Sequence, residues 1–227
     1  DYDYYFDRPV DGPGDIYFAG AKILGDEVFA ENGFLYTIDK VVEPMRNAYE
    51  ILESTDGEQS YSIFFDLVNR FPEFEYNEDL TYDQPGAEEG ETVDSLFEIT
   101  FPDLAFDIIN EETTPPRGTY GLPPQVSIRY HHGVVAPNDA AMQQLENDFL
   151  VGQGKWGSYE EAPLHIKRII TNTHLSTNPI YPSDFIQGFI NGEEDRIYLD
   201  DADVVQKEYG SNATFLGLSK ALIPRAF

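Results

Sequence analysis

Cysteine is absent from these 227 residues, so neither disulfides nor thiolate chemistry is available. Secreted animal matrix proteins often carry disulfides; a bacterial surface protein need not. Basic residues are scarce, with 14 Lys and Arg against 42 Asp and Glu, a formal charge of −28. That deficit excludes nucleic acid as a partner, because phosphate binding needs Lys and Arg. It also argues against docking on anionic lipid. It fits a soluble, self-repelling surface protein or one that gathers cations. No apolar run reaches the roughly 18 to 20 residues of a membrane span. No signal peptide opens the chain, as expected of a mature or trimmed form, so a lipid anchor would lie upstream.

The catalytic vocabulary is equally thin. No His-Glu-x-x-His, Gly-x-Ser-x-Gly or phosphate-loop pattern occurs, and the chain is expected to be non-enzymatic and without a cofactor. His131 and His132 are adjacent on an expected strand and so point to opposite faces, a poor joint metal site. Glu161 and His165 stand four apart on an expected helix, as an exposed pair or two ligands of a cation, where zinc needs three or four. Asp200, Asp201 and Asp203 form the best oxygen cluster, with Asp1, Asp3 and Asp7 behind it. Neither cluster has the spacing and closing glutamate of the best-known calcium loop, so a solvated acidic turn stands beside a calcium site. Asp94-Ser95-Leu96 fits a short bacterial O-glycosylation pattern at Ser95. Asn212-Ala213-Thr214 has the form of an N-glycosylation acceptor. Aromatic residues, 14% of the chain, serve as core or as sugar-stacking platforms; Trp156, between Gly154 and Gly157, is a candidate for part exposure.

What the chain does contain is an internal repeat. Asn32-Gly33-Phe34-Leu35-Tyr36-Thr37-Ile38-Asp39-Lys40-Val41-Val42-Glu43-Pro44 returns as Asn212-Ala213-Thr214-Phe215-Leu216-Gly217-Leu218-Ser219-Lys220-Ala221-Leu222-Ile223-Pro224, with Asn, Lys and Pro in register. Each copy reads as a turn and a strand stopped by proline. One module therefore ends near Pro44 and another near the last residue, and the first copy has too few residues ahead of it to be a whole module.

Within residues 1–44, strands are expected at Asp15–Phe18, Lys22–Leu24 and Phe34–Val42. Met45, Ala48, Ile51 and Leu52 suggest a linker helix, broken at Ser54-Thr55-Asp56-Gly57, where the module boundary is placed. Ser60 can cap a helix with Ile63, Phe64, Leu67, Val68 and Phe71 on one face. Glu73 to Pro116 holds no Lys or Arg but keeps apolar anchors (Phe97, Phe101, Leu104, Phe106, Ile108 and Ile109), so it reads as a partly packed acidic insertion, a partner contact or a plain loop. A strand at Val126–Tyr130 follows. Helices are then expected through Met142, Leu145 and Phe149, from Pro163 through Thr173, and from a Ser183 cap through Phe189, and a last strand at Arg196–Leu199.

Several of these stretches resemble the fasciclin domain family. Asn-Gly, an apolar strand, Ile38-Asp39-Lys40-Val41 and Pro44 look like its closing strand. Gly20-Ala21-Lys22-Ile23 and Asp26-Glu27-Val28-Phe29-Ala30 look like the strand pair before it. Val135 to Met142, with Pro137, Asn138 and Asp139, is similar to the family's early Asn-Asp box. Trp156-Gly157-Ser158, Pro163, Ile169, Ile170 and His174 are similar to its Tyr-His region, with Thr173 where Tyr is usual, and Ser211 to Phe227 is similar to its closing box, with Ala213 replacing glycine. The wording is closest in style to Bacteroidetes surface proteins. The resemblance implies an α+β fold, a fasciclin-like wedge-shaped β-sandwich flanked by α-helices. Residues 1–53 would be the C-terminal part of a first domain plus a linker helix, and 54–227 a complete domain with its acidic insertion at about 73–116. It further implies that His174 packs behind the sandwich and bonds toward Asn138 and Asp139. The implied function is adhesion, or contact with an extracellular or outer-membrane protein or a glycan, at the outer face of the outer membrane. The alternative is an accessory lipoprotein of an outer-membrane nutrient transporter.

Overall fold

The computed structural model describes residues 2–9, 11–78, 81, 94–108, 111–114, 126–129 and 131–225. Asp1, Ile109 and Tyr130, named above, lie outside them, as does much of the acidic insertion. The N-terminal part holds helix α1 (Tyr2–Phe6), strands β1 (Tyr17–Phe18), β2 (Ala21–Ala30) and β3 (Gly33–Ile38), and helices α2 (Ala48–Glu53) and α3 (Ser62–Val68). Then come two antiparallel pairs, β4 (Glu73–Tyr76) with β5 (Phe97–Thr100) and β6 (Glu111–Thr114) with β7 (Val126–Arg129). Strand β8 (His132–Pro137) leads into α4 (Asp139–Leu145), a π-helical turn at Glu146–Val151, α5 (Leu164–Thr173) and β9 (Leu175–Ser176). The chain closes with α6 (Pro182–Gln187), β10 (Phe189–Ile190), β11 (Arg196–Ile197), β12 (Val204–Tyr209) and β13 (Ala213–Leu218). The fold is α+β.

Four strands in the order β12-β13-β8-β9 form the central sheet. β13 runs antiparallel to β12 and parallel to β8. Both inner strands are nearly continuous apolar runs because both their faces are covered. Alternation divides their side chains. Ala213, Phe215, Val134 and Ala136 enter the main core with Ile51, Phe64, Met142 and Ile170 from helices α2 to α5. Val135, Leu216 and Leu218 enter a smaller core with Tyr5, Ile180, Phe185 and Phe189.

The helix from Ala48 is anchored more deeply than a linker. Asn47 caps it reciprocally with Glu50, and Ala48, Ile51 and Leu52 are buried in the main core. The expected boundary at Ser54 is therefore the C-cap of an element packed on the 54–227 side. Ser60 does not cap α3; its hydroxyl donates to Asp139 instead. α6 starts at Pro182, ahead of Ser183, with Asp184 accepting the Tyr181 N–H. In the acidic insertion, Phe101, Leu104 and Phe106 are core residues, while β4 and β5 project an arm with Phe74, Tyr76 and Phe97 exposed.

Candidate binding site

The residues singled out by resemblance are brought together in part, as joints of the sheet end. Pro137 ends β8, and Asn138 caps α4 by accepting the Ala141 N–H at 3.0 Å. Its backbone N–H donates to Leu218 of β13, and its side-chain amide donates to Gln59. The Asp139 carboxylate caps α3 from another element: it accepts the Ile63 N–H at 2.9 Å and the Ser60 and Ser62 hydroxyls at 2.6 and 2.8 Å. Asn212 accepts the Ala48 N–H, joining β13 to α2, and donates to the Asp107 and Ile108 carbonyls.

His174 is fully buried at the end of α5. Its Nδ1 meets the Ile170 carbonyl at 2.8 Å and its Nε2 accepts the Leu222 N–H at 2.9 Å, which fixes the Nδ1–H tautomer. Burial pulls its pKa down to about 4, against the upward pull of the Ile170 carbonyl. The expected bond toward Asn138 and Asp139 is not made; the imidazole ties α5 to the segment after β13. Thr173 is buried and its hydroxyl donates to the Ile169 carbonyl.

The other candidates separate. His131 packs against Tyr209 and His132 near Phe106, on opposite faces of the strand. Burial, then His131, lowers the His132 pKa. Glu161 lies before α5 and accepts the Gly157 N–H instead of pairing with His165. Asp200 caps the turn at Asp201–Asp203 by accepting the Ala202 N–H, Asp201 accepts the Tyr4 hydroxyl, and the Asp203 carbonyl accepts the Ser219 N–H. Among the described residues no group of three or more His, Asp or Glu is placed to hold a metal ion. Trp156 packs against the main core, and Ser95 is exposed just before β5.

The aromatic excess instead builds a cleft that the sequence did not localise. Tyr5 and Phe6 of α1, Tyr17 and Phe18 of β1, Met45, Tyr181 and Tyr209 of β12 line a space of about 450 Å³ between the N-terminal segment and the central sheet. Tyr5 stands edge-on to Tyr181 and Tyr209, with ring centres 6.3 and 5.8 Å apart. Burial, and then Tyr181, pushes the Tyr209 phenol up to about 12, and burial raises that of Tyr5. Both hydroxyls therefore stay neutral across the physiological range. Arg8 lies 5.0 Å from the Tyr17 ring centre and Lys207 4.6 Å from that of Tyr4. Their charges are met by Asp39 and Asp7. The wall is thus aromatic, electrically neutral and fringed by hydroxyls, which suits a flat ring with an apolar face and polar edges.

No protein-family model, curated protein or solved structure matches this chain.

Proposed function

We propose that this chain is a non-enzymatic, fasciclin-like surface protein that contacts a protein or glycan outside the cell, and that the aromatic cleft seats a ring of that partner. The cleft carries this reading. A sugar ring or an aromatic side chain would stack on Phe18 and Tyr17, while the Tyr181 and Tyr209 hydroxyls take its polar edge. The reading is further supported by helices packed on the main face of a four-stranded sheet, and by Asn138, Asp139, His174 and Asn212 serving as joints around its closing strand. The wedge-shaped sandwich remains part of the proposal. Titration by NMR with a panel of oligosaccharides and aromatic peptides tests it. A member of the panel is expected to shift the Tyr17, Tyr181 and Tyr209 ring signals. Phe18→Ala, at a largely exposed ring, is expected to weaken binding about tenfold, roughly 1.4 kcal/mol, with an unchanged melt. Absence of shifts at millimolar ligand would make the cleft a packing joint.

A second reading, an accessory subunit of an outer-membrane uptake complex, is favoured by the β4–β5 arm. Its exposed Phe74, Tyr76 and Phe97 stand on an acidic insertion, giving a docking arm with apolar contact and charge-guided encounter. Co-purification with a transporter, lost in the Phe74→Ser and Phe97→Ser double variant, would select this reading over matrix adhesion.

A further inference from the structure

The sequence repeat reappears as geometry. β3 and β13 occupy the same six positions of the two copies. Their hairpins share a register: Phe29 and Val28 oppose Phe34 and Leu35, as Tyr209 and Glu208 oppose Thr214 and Phe215. Each also has a bulge farther along its first strand, between Leu24 and Val28 in one and between Val204 and Gln206 in the other.

The surroundings are opposite. Thr214, Phe215 and Leu216 are 0% exposed, whereas Phe34, Leu35 and Tyr36 are 57, 63 and 49% exposed. β13 lies between two strands; among the described residues β3 is the edge of its three-stranded sheet. Along β13 the bonds to β8 begin with the His132 N–H on the Asn212 carbonyl and end with the Asn138 N–H on the Leu218 carbonyl. The two-residue period of a strand then turns the backbone groups of residues 214, 216 and 218 toward β8. The Asp39 N–H, like that of Ser219, points to the first strand of its hairpin. By the same period the backbone groups of Phe34, Tyr36 and Ile38 face the free edge.

We propose that the free edge of β3 binds, in parallel, an apolar strand of the same polypeptide lying outside residues 1–227, and that this strand brings the body of a module that covers both faces of the hairpin. The buried twin specifies the occupant. β8 is a short apolar strand that runs directly into a helix, and it supplies one edge while the helices cover Phe215. A second copy of this chain fits less well. Two-fold pairing of β3 with itself would be antiparallel, whereas the twin takes its neighbour in parallel. Two chains of formal charge −28 also repel. An uncovered edge with exposed aromatic faces is otherwise an aggregation hazard. The inference rests on the repeat and its twin, independently of any ligand in the aromatic cleft.

Hydrogen exchange on the protein as isolated from its source, compared with residues 1–227 alone, tests it. The native protein is expected to exceed 25.7 kDa. Its Phe34, Tyr36 and Ile38 amides should exchange at least about a hundredfold more slowly than in residues 1–227. Tyr36→Pro, which removes a donor only from the free edge, should speed exchange at Phe34 and Ile38 while Leu35 and Thr37 stay protected by β2. A native mass of 25.7 kDa, or a longer protein with fast edge amides, would overturn the proposal. Edge protection of residues 1–227 that grows with concentration would overturn it in favour of a second copy.

Discussion

The hairpins β2–β3 and β12–β13 share the length of their second strand, the register beside the turn and the turn position, yet one is almost wholly solvent-exposed and the other is the centre of the molecule. Local sequence is therefore enough to set a hairpin, but not its burial. What differs is the covering. β13 is held by β8 along one edge, by α2 through Asn212, and by His174 through the segment that follows it. Among the described residues β3 has only β2, and a salt bridge from Arg8 to Asp39 just beyond its end. An ion pair of that kind, screened by solvent, contributes little to stability.

Removing parts of the covering is the direct way to test this contrast. The largest effect is expected from the cut. A chain beginning at Ser54 lacks Ala48, Ile51 and Leu52 from the core and leaves the Asn212 oxygen without its N–H donor. Calorimetry should find no cooperative melt for it, while a chain beginning at Arg46 keeps one. A cooperative melt from Ser54 would remove α2 from the account. Next comes the equivalent pair of side chains. Phe215→Ala should destabilise by about 3–5 kcal/mol, whereas Leu35→Ala at the matching position should change stability by less than about 0.5 kcal/mol. Urea unfolding measures both, and similar losses would erase the distinction between the hairpins.

A loss smaller than that of Phe215→Ala concerns His174. Folded, it is neutral with a pKa near 4; unfolded, it titrates near 6.5. Because the folded value is the lower one, its contribution is complete above pH 6.5. It falls as the pH drops toward 4, by about 3 kcal/mol in all. His174→Ala should cost about 1–3 kcal/mol at neutral pH by orphaning the Leu222 N–H and the Ile170 carbonyl. The difference between the wild type and this variant should shrink across that window. A constant difference would mean that the imidazole is not held neutral.

Much of the secondary structure was legible because it rests on periodicity. Phe64, Leu67 and Val68 on α3, and Ile166 and Ile170 on α5, fall on the faces their spacing implies. The two closing strands were legible from their repeat. Tertiary polar joints were not. The Asp139 cap on α3 crosses from residue 139 to residue 63, and no local rule connects those positions, so Ser60 looked like the natural cap. The Tyr2–Phe6 helix was missed because its stability comes from Tyr5 packing on Ile180, Phe185 and Leu216, not from propensity within five residues. The aromatic cleft was equally invisible, since its walls come from five separate segments. The Asn138 cap was read only as part of a motif, while its physical role follows from ordinary helix-start chemistry.

The parallel pairing of β8 with β13 also sets an order of events during synthesis. Ala213 lies opposite His132, so the central sheet cannot close until the chain well beyond β8 has been made. At roughly 5–20 residues per second, that interval lasts on the order of several seconds. Throughout it, Val134, Val135 and Ala136 have no strand along the edge that β13 will occupy. The local hairpin β2–β3 needs no such wait, because both its strands emerge together. The strand made last at the heart of the fold thus acts as a commitment step. Until it docks, that edge of β8 stays open to pairing with other strands.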